Sequence, residues 1–213
     1  MTMSATRVPP ATDPAPTAPA PARPVDTRAL RTTLGQYATG VAVVTYPDEE
    51  GPRGATINSF TSVSMDPPLV LVSFARSTNA ARLLTDRPFV VNVLASHQLD
   101  VALQFAGRPQ SCAAVPWSTE AEVPRLRGTV AWLQCRPWAT YDGGDHLLFL
   151  GEVVRHDSRR GEPLLFHRGQ FRMVGLGVYD LPRVVQLDGR PIAPWVGHAH
   201  RIHQVSEAGF IEP

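Results

Sequence analysis

An antiparallel β-barrel with a few peripheral helices is the fold class this sequence predicts, and three observations lead to it. Strand-like segments at 41–46, 69–74, 89–94 and 146–156 outnumber the helical periodicities. Most are separated by Gly, Pro and Asp turns rather than by the long helices that parallel crossovers need. With 213 residues the chain suits one domain of ordinary size with a real core.

Taken in order, residues 1–26 are mostly Pro, Ala and Thr and lack the apolar centre of a signal peptide. Such a composition buries too little surface to offset ordering entropy, so disorder is expected there, with the folded domain spanning 27–178. Asp26 is placed to cap a short helix whose Leu30, Leu34 and Tyr37 share a stripe and which Gly35 and Gly40 end. Residues 41–46 read as a strand, 47–53 as a turn, and Gly54 onward as the hairpin partner. Beyond the strand at 69–74, Ser77-Thr78-Asn79 opens a helix to about Leu84. Residues 89–94 form a buried strand, and Ser96 caps a helix that runs through Phe105. Pro109, Pro116 and Pro124 make 106–127 an irregular connection. Two long strands at 129–141 and 146–156 meet at the Asp142-Gly143-Gly144 turn, and a last strand spans 170–178. Residues 179–213 form a C-terminal extension.

Composition excludes several function classes. The formal charge of +1 argues against bulk nucleic-acid binding, although all twenty basic residues are Arg, the side chain best suited to grip phosphate. No apolar run approaches the roughly 18 residues needed to span a bilayer. Cys112 and Cys135 fit neither a metal site nor a disulfide framework, which points to a reducing cytoplasm, with Cys135 a small buried hydrophobe. No Gly-x-Gly-x-x-Gly or Walker sequence is present. His198, His200 and His203 have no Cys or acidic cluster beside them, so a polar tail outweighs a metal site.

Three segments carry candidate chemistry. Read as a strand, residues 54–65 place Thr56, Asn58, Phe60, Ser62 and Ser64 on one face, which offers four hydrogen-bonding groups and a ring. The pattern fits a polar cradle, but on composition alone an edge strand facing water is the stronger reading. At Arg76-Ser77-Thr78-Asn79 free backbone N–H groups, hydroxyls and an Arg converge where a helix begins, a place that suits phosphate or simple capping. Asp145-His146 at a strand entrance combines a carboxylate with an imidazole able to handle a proton near neutrality, or serves the turn alone.

Leu34-Gly35-Gln36-Tyr37-Ala38-Thr39-Gly40-Val41, Asn58-Ser59-Phe60-Thr61-Ser62-Val63-Ser64-Met65-Asp66-Pro67-Pro68, Phe89-Val90-Val91-Asn92-Val93-Leu94-Ala95, Phe105-Ala106, and Gly144-Asp145-His146 with Gly151-Glu152-Val153 follow one another collinearly across about residues 28–178. In that order these blocks resemble the flavin reductase-like family with its FMN-binding split barrel. The resemblance implies a six-stranded split barrel, a homodimer, and flavin near the subunit interface. It assigns Thr56, Asn58, Ser59, Ser62 and Ser64 to the flavin cradle, and Ser77, with Arg76 and Asn79, to the phosphate. Phe105 and Ala106 match the loop beside the flavin. Asp145 and His146 match the motif on the nicotinamide side. The activity implied is NAD(P)H-dependent reduction of FMN or FAD, with reduced flavin passed to a separate monooxygenase. The alternative is a protein that retains FMN as a prosthetic group with little or altered reductase activity. The extension at 179–213, punctuated by Pro182, Pro191 and Pro194, is expected to run as a strap across the dimer partner or over the nicotinamide side.

Overall fold

The computed structural model of the chain describes residues 24–108, 114–118 and 121–175. Expectations for 1–23, Cys112 and the extension at 179–213 lie outside them. The elements run α1 (Thr27–Leu34), β1 (Thr39–Gly40), β2 (Ala42–Asp48), β3 (Gly51–Ile57), β4 (Thr61–Met65), β5 (Pro68–Ala75), α2 (Asn79–Leu83), β6 (Phe89–Val93), α3 (Leu99–Phe105), β7 (Ala131–Gly143), β8 (His146–Ser158), β9 (Leu165–His167) and β10 (Gln170–Arg172). Seven strands form one antiparallel sheet in the order β3-β2-β6-β7-β8-β5-β4, and a small sheet joins β1-β9-β10. The mainly antiparallel class holds, with seven strands in the main sheet where six were expected.

Period-two alternation on β2 builds two cores at once. Ala42, Val44 and Tyr46 point into a core with Val72, Phe74, Phe89, Val91, Cys135 and Phe149. Val41 and Val43 enter a second core with Leu94, Ala102, Leu126 and Leu164. A strand buried on both faces must be apolar throughout, which is why 41–46 carries no regular polar positions. Cys135 is fully buried, and burial pushes its thiol up to about 12, so it is inert at neutral pH, as expected of a small hydrophobe.

Several local expectations need correction. β2 runs through Pro47 to Asp48 and β3 already starts at Gly51, because Pro47 and Pro52 face each other in the hairpin ladder and the turn shrinks to Glu49-Glu50. α3 begins at Leu99 rather than after Ser96; Gln98 is its N-cap residue, and its side chain instead ties the Ala95 N–H to the Arg127 carbonyl. The β7–β8 turn is one residue later than expected, at Gly144-Asp145, since Gly143 still pairs with His146. Gly144 takes φ 77° there, the left-handed first position of a two-residue hairpin loop. The expected strand at 170–178 is only β10, turned back on β9; Val174 and Gly175 lie outside any strand, and 176–178 are not among the described residues. Asp26 does cap α1, its carboxylate accepting from the Arg28 and Ala29 N–H groups, yet the Leu30, Leu34 and Tyr37 stripe stays exposed, Tyr37 at 79%.

Candidate flavin and nicotinamide site

The hydroxyl-rich segment does not form one strand. β3 ends at Ile57 and β4 starts at Thr61, which leaves Asn58, Ser59 and Phe60 outside both ladders. A register shift between Ser62 and Ser64 then breaks parity again. The single face of Thr56, Asn58, Phe60, Ser62 and Ser64 is therefore a correction: the chain leaves β3, bends, and rejoins the sheet on β5. Ser59 bridges the bend. Its hydroxyl donates to the Ser73 carbonyl at 3.1 Å and accepts from the Ser73 N–H at 3.2 Å, continuing the β4–β5 ladder with a side chain where backbone is missing. Ser62 pairs with Val70 and Ser64 with Leu69, so Ser64 sits four positions along β5 from Ser59, about 13 Å away.

Thr56 serves the site from inside. Its hydroxyl donates to the Ala102 carbonyl at 2.7 Å, fastening β3 to α3 and placing Ala106, at the end of α3, beside Asn58. These residues open onto a slot of about 190 Å³ whose other walls are Val41, Ile57, Phe166 and Phe171. Phe166 and Phe171 meet edge to face at 5.3 Å between ring centres. Phe105 turns away from the slot to fill the second core, edge-on to Trp117 at 5.9 Å and tight against Gly54, where a Cβ would meet its ring at 2.9 Å. Thr39, whose ladder partner is Phe166, holds a buried hydroxyl with no hydrogen-bond partner among the described residues. An apolar slot with the amide of Asn58 in its lining fits a flat aromatic ring with polar edges. Sequence reasoning missed Thr39, Val41, Ile57, Phe166 and Phe171. The aromatics at 166 and 171, flanking a Gly turn, were the available signal.

The second half of the site lies at the far end of β5. Ala75 pairs with His146, and the Arg76 N–H donates to the Asp145 carbonyl at 3.1 Å, so the Arg76-Ser77 corner and the Asp145-His146 turn are joined. Ser59 is bonded to Ser73, which lies three residues before Arg76 on the strand that leads to the same corner. The Arg76 guanidinium donates to the Gly144 carbonyl at 2.7 Å and to the Asp142 carboxylate, so it braces the turn instead of standing free for a phosphate. Asn79 is likewise engaged, accepting from Arg82, and Thr78 rather than Asn79 or Ser77 caps the five-residue α2. The exposed Ser77 hydroxyl keeps its hydrogen bonds uncommitted among the described residues.

His146 Nδ1 and the Asp145 carboxylate are 2.7 Å apart, with His146 partly and Asp145 almost wholly exposed. The bond and charge of His146 hold the Asp145 carboxyl below the usual carboxylate range. Because the folded value is depressed, the pairing is fully present above the ordinary pKa of about 3.9 and is lost as pH falls through the lower folded value. A carbon NMR titration should give Asp145 a midpoint below that ordinary value, and His146→Ala should move it upward. A midpoint that His146→Ala leaves in place would show that the imidazole is not the cause.

The flavin reductase like domain family matches residues 34–175. This chain belongs to that family. FMN reductase (NADH) SmoA of Agrobacterium fabrum is 41% identical to this flavin reductase-like chain over 147 residues, covering 68% of the chain and 84% of that protein. The flavin-dependent monooxygenase reductase subunit HsaB of Rhodococcus jostii is 38% identical over 149 residues, covering 68% and 76%. Among solved structures, NADH:FAD oxidoreductase SgcE6 of Streptomyces globisporus, in complex with NAD and FAD fragments, aligns with a TM-score of 0.65 at 38% identity, covering 74% of this chain and 100% of that one.

Proposed function

We propose that the chain is an NAD(P)H-dependent flavin reductase that acts on FMN or FAD and supplies reduced flavin to a separate monooxygenase. The observation that carries this reading is the apolar slot walled by Val41, Ile57, Phe166 and Phe171, its lining completed by Thr56, Asn58 and Ala106, on a chain of this family. When both cofactors bind, the nicotinamide supplies a hydride and the flavin ring accepts it. The chain's own part is to bind and orient. The backbone of Asn58, Ser59 and Phe60, free of both ladders, meets the polar edge of the ring, and the slot walls exclude water from one side. Ser62 and Ser64 extend the cradle along β4, and Ser77 is the hydroxyl left for the flavin phosphate. His146, oriented by Asp145, positions the nicotinamide or holds a proton at its ring nitrogen.

Asn58 and Ala106 are exposed at the slot's mouth, which favours moderate affinity and a flavin that leaves, over FMN kept as a prosthetic group. Large apolar side chains left exposed, Met65 at 84%, Trp138 at 52% and Tyr141 at 54%, support a homodimer that would cover them. Trp138 is the extra residue of a β-bulge between Pro137 and Ala139. The free, buried Cys135 suits a reducing cytoplasm. Among the described residues no helix is long and apolar enough to cross a membrane, and no cluster of His, Cys, Asp or Glu is set to hold a metal.

The test is an anaerobic assay of NADH and NADPH oxidation with FMN, FAD and riboflavin. Colourless protein that turns over only with added flavin is the expected result. No turnover in any combination rejects the reading; yellow protein that oxidises NADH unaided supports the retained-cofactor alternative.

A further inference from the structure

A second cavity, about 490 Å³, lies between the end of α1 and the β9–β10 turn, lined by Arg31, Thr32, Gly35, Gln36, Arg168 and Gly169. Its volume falls within the roughly 300–1,000 Å³ of small-molecule sites. Two guanidiniums line it and no carboxylate does. The Arg31 guanidinium makes no hydrogen bond or ion pair among the described residues. Arg168 is held in place: its Nε and Nη2 donate to Gln36 Oε1 at 2.9 and 2.6 Å, and its backbone N–H donates to the Gly35 carbonyl at 3.0 Å. That leaves the remaining guanidinium donors uncommitted.

The backbone at Arg168 points the same way. The β9–β10 loop joins His167 to Gln170 through Arg168 at φ 50° and Gly169 at φ 75°, two successive left-handed positions. Asn, Asp or Gly adopt the first of these with less strain, so an Arg there opposes local preference. Strained positions of this kind concentrate at ligand-binding places. The cavity also lies beside the ring slot, since the loop that carries Arg168 joins β9 to β10, whose Phe166 and Phe171 wall that slot.

We propose that Arg31 and Arg168 form a phosphate subsite for the hydride donor, holding a phosphate of the nicotinamide dinucleotide while its nicotinamide end lies toward Asp145 and His146. This rests on the reductase reading above. Arg is the side chain for such a grip, since its planar fork offers paired donors to phosphate oxygens.

Arg31→Gln keeps a good helix former, and Arg168→Asn keeps a residue that accepts the left-handed turn, so both variants fold. Arg28→Ala removes a charge from the same helix outside the cavity and serves as the control. Titration calorimetry with ADP-ribose should give binding to the parent protein that weakens about tenfold in each cavity variant, the scale of one charged hydrogen bond, and stays within about twofold in the control. In steady-state kinetics the donor KM should rise similarly while the KM for FMN holds. A rise with both NADH and NADPH assigns the cavity to the diphosphate, and a rise with NADPH alone assigns it to the 2′-phosphate; either supports the proposal. A raised KM for FMN but not riboflavin, with donor KM unmoved, gives the cavity to the flavin phosphate and overturns it. Unchanged ADP-ribose affinity also overturns it. The reductase reading fails separately, if the parent protein turns over no flavin at all.

Discussion

Asn92→Ala lowers stability by about 3 kcal/mol, the scale of leaving several buried polar groups unpaired, and drops Tm by roughly 6–12 °C for a domain of this size. Asn92 sits fully buried next to the end of β6. Its amide reaches the Val43 carbonyl and the Thr45 hydroxyl at 2.9 Å and the Val90 carbonyl at 3.1 Å, and its carbonyl accepts the Leu126 N–H at 2.9 Å. Thr45, also buried, donates to the Pro124 carbonyl. These two side chains tie an irregular segment to the barrel. The segment matters to the site because Trp117 bridges to Leu126 and packs edge-on against Phe105, which in turn sets the end of α3 beside the slot. The same variant therefore raises the KM for flavin. Hydrogen exchange at the Leu126 amide separates this account from a general loss of stability. Protection at Leu126 that survives Asn92→Ala at full strength would show that the segment is held by something else.

Gly151→Ala is expected to cost a similar amount, about 1–3 kcal/mol or more, by overpacking a core with no slack. A Cβ at Gly151 would lie 2.5 Å from the ring tip of Phe89 and 2.9 Å from the Cβ of Cys135. Phe89 and Cys135 are fully buried, and they face each other across the β6–β7 ladder, so neither has room to withdraw. The measurement is a thermal melt of Gly151→Ala, Phe89→Leu and the double variant. Coupling within the pair should make the double variant more stable than the sum of the single losses implies. Simple additivity would place the strain elsewhere.

Some of this was legible from local pattern because the forces involved are local. Asp26 and Thr78 cap helices through their own side chains within three residues, and both helix starts were readable. Apolar runs at 69–74 and 89–94 became β5 and β6 because strands covered on both faces carry continuous apolar residues. The resemblance of ordered blocks pointed to the flavin cradle that alternation by itself left open between a binding surface and a wet edge.

Other features depend on partners far away in the chain. Nothing near Ser59 announces that its hydroxyl will stand in for backbone on Ser73, fourteen residues on. Arg76 reads as a phosphate ligand until the β7–β8 turn, sixty-six residues later, takes its guanidinium. Phe105 reads as a flavin neighbour, and packing against Gly54 and Trp117 turns it into the second core. Sequence by itself determined the fold class, the starts of α1 and α2, the apolar strands and the family, since periodicity, capping and ordered blocks are properties of neighbouring residues. Only the tertiary structure decided which hydroxyls remain free, which arginines are occupied, and that Phe166, Phe171, Arg31 and Arg168 line cavities, because whether a polar or aromatic group is spent on packing or left for a ligand depends on what the fold brings against it.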